Sequence, residues 1–238
     1  MKNKIALVTG ATSGIGWACA LTLAKMGYDL IATGRRSERL EELRLALPEG
    51  IRFLPLLFDV RDRAEVERLL TNLPSEWAAI DVLINNAGNA HGLDPIQTGK
   101  IDDWDAMLDI NVKGLLYVSK AIIPGMTERN SGAIINIGST ASLRGFEKGG
   151  IYAASKFALR AMTESWQHEL RKHSIRVMQV NPSEVATAFN SDERIERTAA
   201  DNKLRSQEIA YMIKSILELD DRAMIPEFSV WATNPWKQ

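Results

Sequence analysis

Apolar residues fall along the chain in two patterns. Short, continuous apolar runs end in small or polar residues, and longer stretches with three- and four-residue spacing lie between them. The short runs are Ile5 to Thr9, Asp29 to Thr33, Ile51 to Phe58, Asp81 to Ile84, Ala133 to Ile137 and Ile175 to Val180. Continuous β-branched runs of this kind predict strands buried in a sheet. The periodic stretches predict helices: one reaching about Met26, one beginning near Arg61, a long one over Ile101 to Gly125, one from about 150 to Arg171, and a last over about Ser206 to Leu219. In the 101–125 stretch Trp104, Leu108, Leu115, Val118 and Ile122 form the core stripe. Asn111 falls on that stripe, and because a buried amide needs partners it is either a structural bracket or part of a site.

Two segments break the pattern. Phe189 to Asp201 is polar and mixed, which predicts a mobile loop or lid. The tail Phe228-Ser229-Val230-Trp231-Ala232-Thr233-Asn234-Pro235-Trp236 is apolar, so we expect it to dock on its own core or on a partner subunit. With 238 residues, 45% of them hydrophobic and 25% charged, residues 1–238 fit one α/β domain with a sizeable core. A formal net charge of −1 gives no electrostatic case for nucleic acid or an anionic membrane surface. Cys19 is the one cysteine, which excludes an internal disulfide and a thiolate metal cluster and suits a small core residue. His91, His168 and His173 lack metal spacing, so no metal is expected. The opening MKNKIALVTG is far short of a signal-peptide apolar region or a membrane span, and a cytoplasmic protein is expected.

Candidate chemistry begins at the first strand's end. Thr9-Gly10-Ala11-Thr12-Ser13-Gly14-Ile15-Gly16 forms a strand, glycine turn, helix sequence. Glycines there allow positive φ and close backbone approach, and a helix N-terminus offers N–H groups to a pyrophosphate. The spacing G-x-x-x-G-x-G differs from the commoner G-x-G-x-x-G. About 20 residues on, where the ribose is read, stand Gly34-Arg35-Arg36 rather than an acid. Guanidinium groups suit a 2′-phosphate, so NADP(H) is favoured over NAD(H); the alternative is two arginines at a solvated helix start. Asp59-Val60 closes the third strand, where the carboxylate either accepts from an adenine amino group or caps the following helix. Asn85-Asn86-Ala87-Gly88 closes the fourth and suits close packing beside a cofactor, or an ordinary turn.

Ile134 to Lys156 carries the reactive groups. Ser139 follows a buried strand, and Tyr152 and Lys156 lie four residues apart on one helix face. A neighbouring ammonium favours a phenolate, and lowering a tyrosine pKa from about 10 by about 3 units amounts to roughly 4 kcal/mol. Tyr152 then acts as a general acid/base, with Ser139 hydrogen-bonding the reacting oxygen, a pairing that suits interconversion of C=O and CH–OH. Taken alone, Tyr-x-x-x-Lys also fits a half-buried tyrosine and a solvated lysine.

Together, T-G-x-x-x-G-x-G at 9–16, N-N-A-G at 85–88, Asn111, Ser139 and Y-x-x-x-K at 152–156 resemble the short-chain dehydrogenase/reductase family in order and interval. The resemblance implies a Rossmann-type doubly wound parallel sheet of about seven strands with helices on both faces, and NADP(H)-dependent hydride transfer. It implies Tyr152 as acid/base, Ser139 orienting the oxygen, Lys156 lowering the tyrosine pKa and holding the nicotinamide ribose, and Asn111 positioning a relay water. By the same resemblance Gly10, Ser13, Gly14, Ile15 and Gly16 hold the pyrophosphate region. Arg35 and Arg36 take the 2′-phosphate, Asp59 and Val60 the adenine, Asn86 the adjoining ribose, and Val185 and Thr187 the carboxamide. Ala87, Gly88 and Pro182 belong to the same implied cofactor site. Where the family usually has Pro-Gly, this chain has Pro182-Ser183-Glu184. RSERLEEL and ERNSGAIINIGSTAS look like NADP-dependent 3-hydroxy acid (serine-type) dehydrogenases, whereas Asn-Pro-Ser-Glu-Val and the tail look more like 3-oxoacyl-[acyl-carrier-protein] reductases. The substrate is therefore expected to be a small-molecule or acyl-thioester carbonyl or alcohol, chosen by a variable segment at about 186–205. A homotetramer is expected from the family, and the rival expectation is an NADP(H)-binding sensor or scaffold without turnover.

Overall fold

A computed structural model describes residues 3–187, 189 and 202–236. The strands are β1 (Ile5–Val8), β2 (Asp29–Gly34), β3 (Phe53–Leu57), β4 (Ile80–Asn85), β5 (Gly132–Ile137), β6 (Ile175–Pro182) and β7 (Glu227–Val230). The helices are α1 (Gly14–Lys25), α2 (Ser37–Leu45), α3 (Arg63–Thr71), α4 (Ile101–Leu108), α5 (Leu115–Arg129), α6 (Gly150–Leu170) and α7 (Ser206–Leu217). The strands form one seven-stranded sheet in the order β3-β2-β1-β4-β5-β6-β7. Every pairing is parallel. The chain winds outward from β1 to β3, returns to β4 beside β1, and winds outward the other way, so the switch point lies between β1 and β4.

Helices cover both faces because β1, β2, β4, β5 and β6 bury nearly every side chain. Ala6, Val8, Ala32, Ile84 and Ile135 pack with Leu23 of α1, Leu40 of α2 and Ile213 of α7. Ile5, Leu7, Leu83, Ile134 and Val177 point the other way onto Val66 of α3, Val118 of α5 and Leu170 of α6. Cys19 lies in the first of these layers, and burial pushes its thiol up to about 12, so it serves as a small apolar residue.

Several predicted elements shift. β3 is shorter than the apolar run Ile51 to Phe58, and it carries Pro55, which the sheet tolerates because β3 is an edge strand. The helix expected near Arg61 starts at Arg63, capped by the Asp62 carboxylate, which accepts from the Glu65 N–H at 3.0 Å. The stretch predicted as one helix over 101–125 is interrupted by a π turn, Asp109–Gly114, and then runs past Pro124 to Arg129. The start of the tail docks on the chain's own core, Glu227–Val230 being the seventh strand, registered along β6 from Gln179 to Pro182, whereas Trp231 and Trp236 are exposed. Most of the segment Phe189 to Asp201 lies outside the described residues.

Candidate active site

The carboxyl ends of the parallel strands open onto a cleft of about 560 Å³. On its floor is the glycine turn. Gly10 and Gly14 have φ of 65° and 55°, backbone that side-chain-bearing residues rarely adopt. A Cβ on Gly10 would come within 3.0 Å of the Ala87 Cα and the Asn86 amide, so the turn lies directly against the loop after β4. Thr9 fastens the two together. Its hydroxyl accepts from the backbone N–H groups of Asn86 and Ala87 at 3.0 Å each, and the Asn86 side chain donates to Thr9 O at 2.9 Å and Gly10 O at 3.1 Å. At the start of α1, Ser13 makes no side-chain cap and the first turn carries no acid. A helix N-terminus without a competing carboxylate suits a pyrophosphate, so this end of the cleft fits a dinucleotide. Ser13, Gly14, Ile15, Asn86, Ala87 and Gly88 line it. Gly16 does not: a Cβ there would overlap Gly10 O and the Asn86 amide, so its contribution is to let α1 pack on the turn.

Next along the cleft come Gly34, Arg35, Asp59 and Val60. Arg35 pairs with Asp59 at 3.1 Å and Arg61 with the same carboxylate at 2.8 Å. Burial would raise the Asp59 pKa, but these two guanidinium groups outweigh it and hold the acid at about 2. Asp59 is thus ionised and, in this structure, committed to arginines; the helix cap it was weighed for belongs to Asp62. Arg36 does not line the cleft; it donates to Thr12 O at 3.2 Å and Thr12 Oγ1 at 3.0 Å. Arg39 donates to the same Thr12 O at 3.2 Å and lies over the Trp17 ring. Sequence reasoning missed Arg39, whose spacing of three from Arg36 on α2 was the available signal.

The opposite end holds the hydroxyl groups. Ser139 follows β5; its backbone N–H is shared by Ser142 Oγ and Asn181 Oδ1 at 3.2 Å each, and its Oγ accepts from Ala141 N–H at 3.1 Å. The Tyr152 phenol shares this end of the cleft with the Ser139 hydroxyl, whose influence lowers the phenol pKa. Tyr152 sits in the first turn of α6 between the ring edges of Phe146 and Phe189, with centroids 6.4 and 6.0 Å away. Lys156, 4% exposed, donates to Ile137 O at 2.8 Å, and its Nζ is 5.9 Å from the Tyr152 ring centroid. Burial pushes the phenol up to about 12 against the lowering effect of Ser139, and burial pulls Lys156 down to about 8. The expected lowering of the phenol pKa by Lys156 is therefore reversed in the chain by itself. Burial removes the water that would solvate a phenolate, and it disfavours the ammonium meant to stabilise it.

Asn111 lies in the π turn, fully buried, and does not line the cleft. Its Oδ1 accepts from Asn89 N–H at 2.8 Å, and its Nδ2 donates to Asn89 O at 2.8 Å and Ser155 Oγ at 3.0 Å. In this structure its side chain is a bracket between the β4 loop and α6. Single-turn π insertions recur at functional sites, where the extra residue re-aims one side chain.

Beyond β6, Pro182, Val185 and Thr187 line the cleft. Ser183, standing where glycine was expected, is sewn to β7: its N–H donates to Val230 O at 2.8 Å and its Oγ accepts from Ala232 N–H at 3.3 Å. Glu184 pairs with Lys203 at 2.5 Å, Val185 bridges Leu204, and Ala186 N–H donates to Leu204 O at 2.9 Å. The two feet of the 188–201 segment are thus clamped together beside the cleft. Leu93, Arg144 and Phe146 also line the mouth, none of them marked by motif or periodicity. Among the described residues no group of three or more His, Cys, Asp or Glu side chains is placed to hold a metal, and no helix is long and apolar enough to cross a membrane.

Comparison with known proteins gives a consistent picture. Residues 4–198 match the pattern of the family described as short chain dehydrogenase. The chain is 44% identical over 188 residues to the NADP-dependent 3-hydroxy acid dehydrogenase YdfG of Salmonella typhi, a span of 79% of this chain and 75% of that one. Serine dehydrogenase from Escherichia coli superposes with a TM-score of 0.84 at 36% identity, covering 95% of this chain and 96% of that one. An alcohol dehydrogenase from Thermococcus sibiricus complexed with 5-hydroxy-NADP gives a TM-score of 0.90 at 25% identity, covering 99% and 98%. The glycine turn, Asn111, Ser139, Tyr152 and Lys156 all fall within the matched residues, and this chain belongs to the short-chain dehydrogenase family.

Proposed function

We propose that this protein is an NADP(H)-dependent oxidoreductase that interconverts a secondary alcohol and a ketone, with 3-hydroxy acids and their 3-oxo counterparts as substrates. The observation that carries the reading is the placing of Ser139, Tyr152 and Lys156 in the same cleft as the glycine turn and Arg35. The substrate class follows the 3-hydroxy acid dehydrogenase and serine dehydrogenase relatives. Gly10, Ser13, Gly14, Ile15 and Arg35 would hold NADP(H), together with Asn86, Val185 and Thr187 along the cleft. NADP(H) held there would supply or accept the hydride.

The chain's own residues handle the proton. In oxidation Tyr152 must be the phenolate, whose Oη takes the hydroxyl proton as hydride leaves the carbinol carbon for NADP⁺; in reduction the phenol gives its proton to the forming alkoxide and is left as phenolate. Ser139 Oγ donates a hydrogen bond to the same oxygen and fixes its position. Lys156 Nζ holds the strand end through Ile137 O and adds positive charge beside the ring. Phe146 and Phe189 keep water from the reacting oxygen. Exposed apolar Leu108, Leu116 and Phe157 on α4, α5 and α6 support a homotetramer, which light scattering reads directly.

A 340 nm assay tests the reading: NADP⁺ with L-serine and 3-hydroxybutanoate, NADPH with an acetoacetyl thioester, and each repeated with the NAD form. Reduction of NADP⁺ by a free 3-hydroxy acid is the expected result. Turnover of the thioester alone would place the protein with acyl-carrier reductases, a preference for NAD would overturn the role of Arg35, and NADPH binding without turnover on any substrate would favour a sensor.

A further inference from the structure

Cationic groups line the cleft at both ends, and they differ in what they are bonded to. Arg35 is paired with Asp59, and Lys156 is committed to Ile137 O. Arg144 is different. It stands in the β5–α6 loop, five residues beyond Ser139, and lines the mouth of the cleft with Leu93, Phe146 and Phe189. Its guanidinium lies over the Trp231 ring, 5.4 Å from the centroid, and among the described residues no carboxylate pairs with it.

A guanidinium stacked on an indole keeps its N–H edges in plane and open, because a cation over a ring face uses the π cloud and not the donors. Those edges match a carboxylate through two parallel hydrogen bonds. The surroundings sharpen the match. Leu93, Phe146 and Phe189 are apolar, so the charge is concentrated at one point of the mouth. Glu184, the carboxylate at this end, is compensated by Lys203 and does not repel an anion.

We infer that Arg144 determines substrate specificity: its guanidinium receives the carboxylate of an acid whose C3 oxygen lies between Ser139 and Tyr152, and Trp231, beyond β7, holds the guanidinium plane. This rests on the 3-hydroxy acid reading proposed above. It also gives the tail, through Trp231, a part in substrate choice.

The test compares 3-hydroxybutanoate with its methyl ester, which keeps the alcohol and loses the charge, as the ratio of their kcat/KM values with NADP⁺. Arg144→Met should lower the acid-over-ester ratio about 10- to 100-fold, chiefly through the KM of the acid, as expected for loss of a charge-assisted pair. Arg144→Lys should fall between, because an ammonium keeps the charge and loses the planar fork. Trp231→Ala should lower the ratio about 2- to 5-fold. A wild-type protein that prefers the ester overturns the 3-hydroxy acid reading and this inference with it. Where the wild type prefers the acid, an Arg144→Met protein that keeps the wild-type ratio, or loses acid and ester alike, overturns the assignment of Arg144 alone.

Discussion

Replacing Lys156 by methionine should abolish turnover and yet stabilise the fold at neutral pH. Lys156 is 4% exposed and, among the described residues, its Nζ donates to Ile137 O alone, so burial of the ammonium is poorly compensated. Burial draws its pKa from the ordinary 10.5 down to about 8, a separation that corresponds to about 3 kcal/mol. The sign follows from linkage. Below pH 8 both folded and unfolded chains carry the proton, and the folded state bears the full cost of holding it. Between pH 8 and pH 10.5 the unfolded chain binds more protons than the folded one, so stability rises with pH; above 10.5 the cost is gone. Methionine has a similar reach and no charge. Against the gain stands the hydrogen bond lost at Ile137 O, about 1 kcal/mol. At pH 7 the variant should therefore be the more stable by about 2 kcal/mol, and near pH 11 the wild type should lead by about 1 kcal/mol. Urea unfolding at fixed protein concentration, followed by tryptophan fluorescence from pH 7 to 11, measures both chains. Other groups titrate alike in the two, so their difference isolates Lys156. A stability difference that stays constant over that range would refute the argument, since a lysine with ordinary titration gives no convergence.

Other outcomes follow from the same geometry. Tyr152→Phe should lower kcat by roughly 10²- to 10⁴-fold while NADPH titration of protein fluorescence keeps its wild-type Kd, because the phenol moves the proton and the glycine turn does not depend on it. Gly16→Ala should weaken NADPH binding and lower stability by about 1–3 kcal/mol, as its Cβ would overlap Gly10 O and the Asn86 amide; unchanged Kd and urea midpoint would contradict the packing described. Asn111→Ala leaves both Asn89 backbone groups without their side-chain partner, so a loss of about 2–4 kcal/mol is expected, with faster amide exchange at Asn89 as the sign that the bracket has opened.

Much of this was legible in the chain because the signals are local. Apolar runs ending in small or polar residues marked the inner strands, since a parallel strand buried on both faces needs apolar side chains throughout. The glycine turn and the spacing of Tyr152 and Lys156 are likewise fixed within one supersecondary unit. What stayed hidden depended on residues distant in sequence. β7 is only Glu227–Val230 and half polar, and it becomes a strand because β6 presents an edge to it. The π turn escaped notice because one inserted residue leaves the flanking apolar spacing nearly unchanged. Spacing predicted the nearness of Lys156 to Tyr152 but not the sign of the phenol shift, which burial decides. A buried chain from Ser119 through Asn85 and Asn136 to Thr163 crosses β4 and β5, and an asparagine inside the run Ala133 to Ile137 was its one sequence trace.

The clamp formed by Glu184 with Lys203 and by Val185 and Ala186 with Leu204 brings the two feet of the intervening segment together beside the cleft. The segment's ends are held by contacts outside the segment itself, while Phe189 within it packs against Tyr152. Doubling the length of such a closed loop costs only about 0.6 kcal/mol in chain entropy. A change of length between the feet is therefore cheap for the fold, whereas a change at Phe189 reaches the proton-handling tyrosine directly.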